Sequence, residues 1–332
     1  MNAEDLQPVL LLGGSGHTGS QATRALRKLH PGLRITIAAR DMSRAKALAA
    51  EIGRAEALTV DLRRPDLGLP ASSQYSIVAV ILKDLSLNSL RYAQAKRIPY
   101  LCVSDGAVEL APTIALYTAS AQSAPVMMLG HWMGGTTTMA TLAFCAEFRS
   151  VEAIEVGIIY DSAGASGPVA REDFERARVV TSAGLTLKDG VWHWDTAQRK
   201  FAGFDGAELE GEGVALLDVP SLAVATGAKS VRVDFAHAAS QGTLRGETPS
   251  HEIVVEISGQ RKDGAEGRFR YEISALDGFS TMSGRGMALS IERLLGLVGG
   301  PVKPGLYNPE NLLDPAYVVK RMKEFGAQLR RV

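Results

Sequence analysis

Cysteine is nearly absent from this 332-residue chain: Cys102 and Cys145 are the only two, and both sit inside apolar runs. That excludes a disulfide-stapled secreted scaffold and favours buried thiols in a reducing cytoplasm. The six histidines are scattered, none joins a cysteine at zinc spacing, and no metal site is expected. An excess of charge of one sign is also missing. The 36 Lys plus Arg balance 36 Asp plus Glu, which argues against a nucleic-acid or membrane-surface partner. No apolar run reaches membrane-spanning length, and residues 1–8 lack the basic and apolar regions of a signal peptide. What remains is an ordinary globular balance, 46% hydrophobic and 22% charged, with length enough for about two domains. The expectation is a cytoplasmic protein acting on a small molecule.

The most informative stretch present is Gly13-Gly14-Ser15-Gly16-His17-Thr18-Gly19, set between an apolar run at 9–12 and an amphipathic segment at 20–29. Gly14, Gly16 and Gly19 fit the G-x-G-x-x-G spacing of a strand-to-helix turn that holds a dinucleotide diphosphate. The first glycine permits the turn, the second lets the backbone approach the phosphates, and the third lets helix and strand pack closely. The helix start supplies free N–H groups and a positive dipole. Ala22, Ala25, Leu26 and Leu29 recur at helical spacing, and Pro31-Gly32 ends the helix before a second strand over 34–39. An acidic residue at the end of that strand suits the ribose hydroxyl of NAD, whereas arginine suits the 2′-phosphate of NADP. Arg40, with Ser43 and Arg44 close behind, favours NADP over NAD. The alternative is that both arginines are solvated and Asp41 holds a ribose. Ser43 is expected to cap the next helix. Asp61, after a short third strand over 58–60, is placed to border the adenine.

Further strands are expected over 75–82, over 99–103 before Ser104-Asp105-Gly106, and over 125–129 before Gly130-His131-Trp132. Strands alternating with helices predict an α/β fold, a Rossmann doubly wound parallel sheet with its ligands at the carboxyl ends of the strands. From about Val151 the texture changes to strands joined by turns, which predicts a second α+β domain with a mainly antiparallel sheet. The glycine-rich stretches 157–167 and 203–213 read as loops, and Trp192, His193 and Trp194 as core or interface aromatics. The expected divisions are 1–125 for the nucleotide domain, 126–280 for a substrate and dimerisation domain, and 281–332 for helices packing back on the first. The alternating strands offer a face larger than one small substrate needs, so a homodimer through the second sheet is expected.

The glycine turn, Arg40-Asp41 with Lys46-Ala47-Leu48-Ala49, and Ala95-Lys96-Arg97-Ile98-Pro99-Tyr100 resemble the nucleotide domain of the saccharopine dehydrogenase-like family of Rossmann oxidoreductases. The stretch 130–140, Leu217-Asp218-Val219-Pro220 and Gly305-Leu306-Tyr307-Asn308-Pro309-Glu310 are similar to further segments of its members. The resemblance implies NAD(P)-linked hydride transfer to or from a small imine or carbonyl compound, derived from an amino acid. Leu82-Lys83-Asp84, Tyr100-Leu101-Cys102 and His131-Trp132-Met133-Gly134 depart from the family pattern, so the nucleotide scaffold is retained while the reaction end is altered.

That end carries the candidate chemistry. Reducing an imine or carbonyl needs a donor for the developing charge. His131 titrates near neutrality and suits proton transfer, Asp105 could orient it or hold a substrate ammonium, and Lys83 could bind a carboxylate. Asp84 and Ser104 lie beside them. The rival expectation is a catalytically silent NADP-binding protein that reports redox state through a partner.

Overall fold

A computed structural model describes residues 2–103, 106–164, 172, 175–176 and 179–332, and its strands fall into two sheets. The first unit runs β1 (Val9–Leu12), α1 (His17–Leu29), β2 (Ile35–Ala38), α2 (Met42–Ile52), β3 (Ala55–Leu58), β4 (Ile77–Val80), α3 (Asn88–Lys96), β5 (Tyr100–Cys102), α4 (Leu110–Thr118) and β6 (Pro125–Met128). α5 (Thr136–Cys145) leads into the second unit. There follow β7 (Phe148–Tyr160), β8 (Gly184–Lys188), β9 (Val191–Asp195), β10 (Arg199–Ala202), β11 (Glu208–Gly213), α6 (Asp218–Thr226), β12 (Ser230–His237), a short α7 (Gln241–Leu244), β13 (His251–Arg261) and β14 (Glu266–Ala275). The chain then returns through α8 (Phe279–Leu294), β15 (Gly305–Tyr307), α9 (Pro315–Glu324) and β16 (Gln328–Arg331).

The first sheet is seven-stranded and parallel throughout, in the order β15-β6-β5-β4-β1-β2-β3. β1, β2 and β4 are buried along their whole length, as parallel strands covered on both faces must be, which is why each reads as an unbroken apolar run. Strand order reverses between β1 and β4, and that places the crevice for a ligand beside the carboxyl end of β1. The second sheet is nine-stranded and mixed: β7 and β12 pair in parallel, and the remaining pairings are antiparallel. Parallel-sheet nucleotide unit and mainly antiparallel second unit therefore stand as expected.

Several local expectations need correction. The boundary at 125 falls on the first residue of β6, which belongs to the first sheet, as does β15 from far along the chain. The C-terminal region is divided as well. α8 lies on α1, whereas Val318 and Met322 of α9 join the second core and β16 pairs β14. The third strand lies at 55–58 rather than 58–60, because Ala55 pairs Ile35 and Leu58 pairs Ala38, the last residue of β2. Within 203–213, residues 208–213 form β11. Glycine composition hides it, because Gly211 makes room for the Phe201 ring and Asp234 where any side chain would collide.

α8 couples the units. A side-chain carbon at Gly284 would lie 2.5 Å from the Ala22 nitrogen of α1, and one at Gly286 would strike the backbone of Gly134 and Met133. Met287 and Ile291 enter the core of the first unit, and Met282 and Leu289 that of the second. The carboxylate of Glu292, fully buried, takes hydrogen bonds from His30 Nε2 at 2.7 Å and the Tyr317 hydroxyl at 2.6 Å. Gly284 over Ala22 and Glu292 on His30 share an offset of 262 residues, so α8 runs parallel to α1. Phe279 thus begins α8 about level with His17 at the start of α1.

Candidate functional site

The glycine turn joins β1 to α1 as expected, but its duties are displaced by one residue. Gly13, not Gly14, takes the left-handed conformation (φ +83°) that makes the turn, and a Cβ there would lie 2.9 Å from the Ile81 carbonyl oxygen. Gly14 is pressed against Leu11 and Ile37, and Gly16 is the N-cap of α1. Gly19 sits so close that any side chain would overlap the Gly13 carbonyl. Thr23 fixes the arrangement from within the helix, donating to Gly14 O at 3.0 Å and to Gly19 O at 2.8 Å. Ser15 is buried, Thr18 half-buried, and His17 exposed at the helix start. The first-turn N–H groups of α1 have no carbonyl ahead of them in the helix and face the crevice. This cradle fits a dinucleotide diphosphate: the glycines let β1, the turn and α1 close on one another, and the N–H groups at the start of α1 are the donors that phosphate oxygens require.

At the carboxyl end of β2, Arg40 and Arg44 are exposed and Arg40 forms no ion pair among the described residues. The cap of α2 is Asp41, not Ser43: the Asp41 carboxylate accepts from the Arg44 N–H at 3.1 Å, and Ser43 lies exposed within the first turn. A carboxylate there also meets the positive end of the helix dipole, which a hydroxyl does not. Asp61 lies beyond β3, and its carboxylate is taken by Arg63, whose Nε donates at 3.0 Å; that hydrogen bond holds Asp61 below the usual carboxylate range.

The expected reaction end divides. Ser104 and Asp105 lie outside the described residues. Lys83 follows β4, and its ammonium pairs with Glu109 at 3.2 Å. Arg176, from the span between β7 and β8, reaches the same carboxylate at 2.6 Å. Burial pushes the Glu109 carboxyl up, but the two cations outweigh it and hold the group below its ordinary value. Asp84 is buried and accepts from the Ser86 and Ser89 backbone and hydroxyl groups, which makes it the anchor of the α3 start.

His131 is not on an open surface. Its side chain is fully buried, its Nε2 lies 2.8 Å from the Ser221 hydroxyl and 4.0 Å from Glu310, and burial pushes its pKa down to about 3. The imidazole is therefore neutral at physiological pH and sealed from water, a setting that suits a packing role better than proton exchange with a substrate. Around it lies a buried cluster. Asp218 accepts from the Trp132 N–H at 2.7 Å and the Thr138 hydroxyl at 2.6 Å; burial lifts its pKa to about 6, and the nearby Glu310 adds to the rise. Burial lifts Glu310 too. The Trp132 indole N–H, which can only donate, reaches His251 Nε2 at 3.0 Å, so the His251 proton sits on Nδ1. His251 is neutral as well, pushed down to about 3 by burial.

His251 helps wall a cavity of about 20 Å³ with Tyr160, Asp161, Pro249 and Phe279, where the end of β7, the start of β13 and the start of α8 converge. Phe279 stands level with His17, so this cavity lies at the end of α8 that is level with the glycine turn. Asp218, Ser221, Glu310, Glu109, Arg176 and His251 are absent from the sequence-based list of candidates. Asp218 and Glu310 were legible only as members of family-like segments; for Asp218, a carboxylate flanked by Leu217 and Val219 was the available signal.

No protein-family model matches the chain, and no curated protein matches it. Among solved structures, the chain is similar to apo saccharopine dehydrogenase (L-Glu forming) from Saccharomyces cerevisiae, at 13% identity and a TM-score of 0.66, over 98% of this chain and 100% of that one. An oxidoreductase from Agrobacterium radiobacter, in complex with NAD+, L-tartaric acid and magnesium, aligns at 14% identity and a TM-score of 0.50 over 98% of each chain. A myo-inositol dehydrogenase from Corynebacterium glutamicum aligns at 13% identity and a TM-score of 0.50, over 98% of this chain and 99% of that one. At these identities the likeness is one of fold: the chain has, along its whole length, the architecture of these dehydrogenases.

Proposed function

We propose that the protein is an NADP(H)-dependent oxidoreductase that transfers hydride to or from a small imine or carbonyl compound derived from an amino acid. The observation that carries this reading is the glycine cradle at the strand-order switch, with Arg40 and Arg44 exposed beside it and Asp41 engaged as a helix cap. The N–H groups at the start of α1 would hold the diphosphate, and Arg40 and Arg44 the 2′-phosphate. A bound nicotinamide dinucleotide supplies the hydride. The chain must supply a proton or a stabilising charge. With His131 sealed, we assign that role to Lys83, whose ammonium Glu109 holds at the carboxyl edge of β4. The burial of His131 also favours the rival reading, an NADP-binding protein that senses redox state through a partner; NADPH binding without oxidation of the cofactor by any imine or keto acid would decide for it.

Arg40→Ala tests the cofactor assignment. It removes a charge-assisted contact of roughly 1.5–3 kcal/mol, so NADPH affinity should fall by about 10- to 100-fold while NADH affinity stays near that of the parent. Fluorescence titration of both nucleotides measures it. Equal losses would mean that Arg40 only shapes the loop, and tighter NADH than NADPH binding by the parent would reject NADP.

The homodimer belongs to the same proposal. Among the described residues β9 pairs only with β8, and Val191, Trp192 and Trp194 stand exposed on it, an edge that proteins rarely leave bare. Light scattering should give the mass of two chains; the mass of one at micromolar concentration would reject it.

A further inference from the structure

We infer that the cavity walled by Tyr160, Asp161, His251 and Phe279 is a subsite for one ammonium-sized cation, the amino end of the substrate. The inference rests on the cleft between the two units being where the proposed reaction occurs. Size is the first constraint. A cavity of this kind needs roughly 10–15 Å³ to admit a water, so one of about 20 Å³ has room for a single small head group.

Chemistry is the second constraint. Asp161 Oδ2 accepts from the Ser240 N–H and hydroxyl, both at 2.8 Å, and from the Thr243 hydroxyl at 2.5 Å. Its Oδ1 accepts only from the Ala163 N–H, at 2.9 Å, among the described residues, and so keeps a lone pair to offer. Burial opposes its ionisation, but these hydrogen bonds keep the carboxyl below its ordinary value. Of the other polar wall groups, the Ser250 hydroxyl is given to Glu252, and His251 carries no charge to repel a cation. No lysine or arginine is among the described lining residues, so a carboxylate or phosphate would meet an uncompensated aspartate. The rings of Tyr160 and Phe279 complete the wall, and aromatic rings attract a desolvated cation.

The third constraint is place. The cavity lies at the start of α8, level with the glycine turn, and one side chain away from Trp132, which follows the last strand before the second unit.

The test uses the full chain carrying Trp192→Phe and Trp194→Phe. Trp132, whose ring centroid lies 5.0 Å from that of Phe279, is then the single indole. Its fluorescence is titrated with methylammonium chloride and, at equal ionic strength, with potassium chloride. The expected result is a saturable change with methylammonium in the millimolar range and none with potassium. Asp161→Asn should weaken the response at least about tenfold. Phe279→Leu, which keeps the apolar bulk and removes the ring, should weaken it about three- to tenfold. If Asp161→Asn fails to fold, Phe279→Leu decides alone. Equal responses to the two salts, or a Phe279→Leu variant that titrates like its parent, would overturn the subsite. NADPH binding is followed in the same samples by nicotinamide fluorescence. Methylammonium without NADPH binding removes the cofactor reading and leaves the subsite, and the converse removes the subsite alone.

Discussion

Gly19→Val should lower stability by at least about 3 kcal/mol and abolish NADPH binding. The added carbon would overlap the Gly13 carbonyl and lie 3.0 Å from the Gly14 Cα, and both neighbours are backbone of a turn that Thr23 already fixes. Overpacking costs typically 1–3 kcal/mol when side chains can yield; here none is available to move, so the turn itself must open. Urea denaturation and NADPH titration measure the two effects separately. A folded variant that binds NADPH like the parent would show that the turn packs the helix without cradling a phosphate.

Asp218→Ala should cost about 2–5 kcal/mol, because it strands the Trp132 N–H and the Thr138 hydroxyl in a fully buried place. The cost should depend on pH. With a folded pKa of about 6 against 3.8 unfolded, the carboxyl contributes stability that is fully present below 3.8 and is lost as pH rises through 6. The alanine variant lacks this loss, so its deficit should shrink by roughly 1–2 kcal/mol between pH 5 and pH 8. Melting curves across that range check it. A deficit that stays constant from pH 5 to pH 8 would mean that burial does not raise the folded pKa of Asp218.

The parallel sheet, the glycine turn and the change of texture near Val151 were legible because each is written locally: unbroken apolar runs for β1 and β4, alternation in β13 and β14. Gly13 as the turn residue was not, since spacing alone suits Gly14 and only the closeness of Ile81 on the neighbouring strand picks between them. β15 is three residues of a long return, and nothing local distinguishes it from a loop until β6 is seen to need a partner. His131 was read as a proton donor because a histidine's unperturbed pKa lies near neutrality and this one follows a strand at the edge where ligands are expected. Ser221, which contacts it, lies 90 residues away, and the seal is completed by Glu310. Burial made from such distant pieces leaves no mark at the histidine itself. The pairing of Glu109 with Lys83 and Arg176 was hidden for the same reason.

The return of the chain through β15 also bears on how the protein is made. On a ribosome, residues 1–128 emerge with every strand of the nucleotide sheet except its outer one, and the open edge of β6 waits while the whole second unit is synthesised. α8, which α1 packs against, arrives equally late. An uncovered strand edge and an uncovered helix face are what chaperones bind and what neighbouring nascent chains aggregate through. The parallel-sheet unit, although its strands begin early in the sequence, is therefore completed only when Tyr307 has been made.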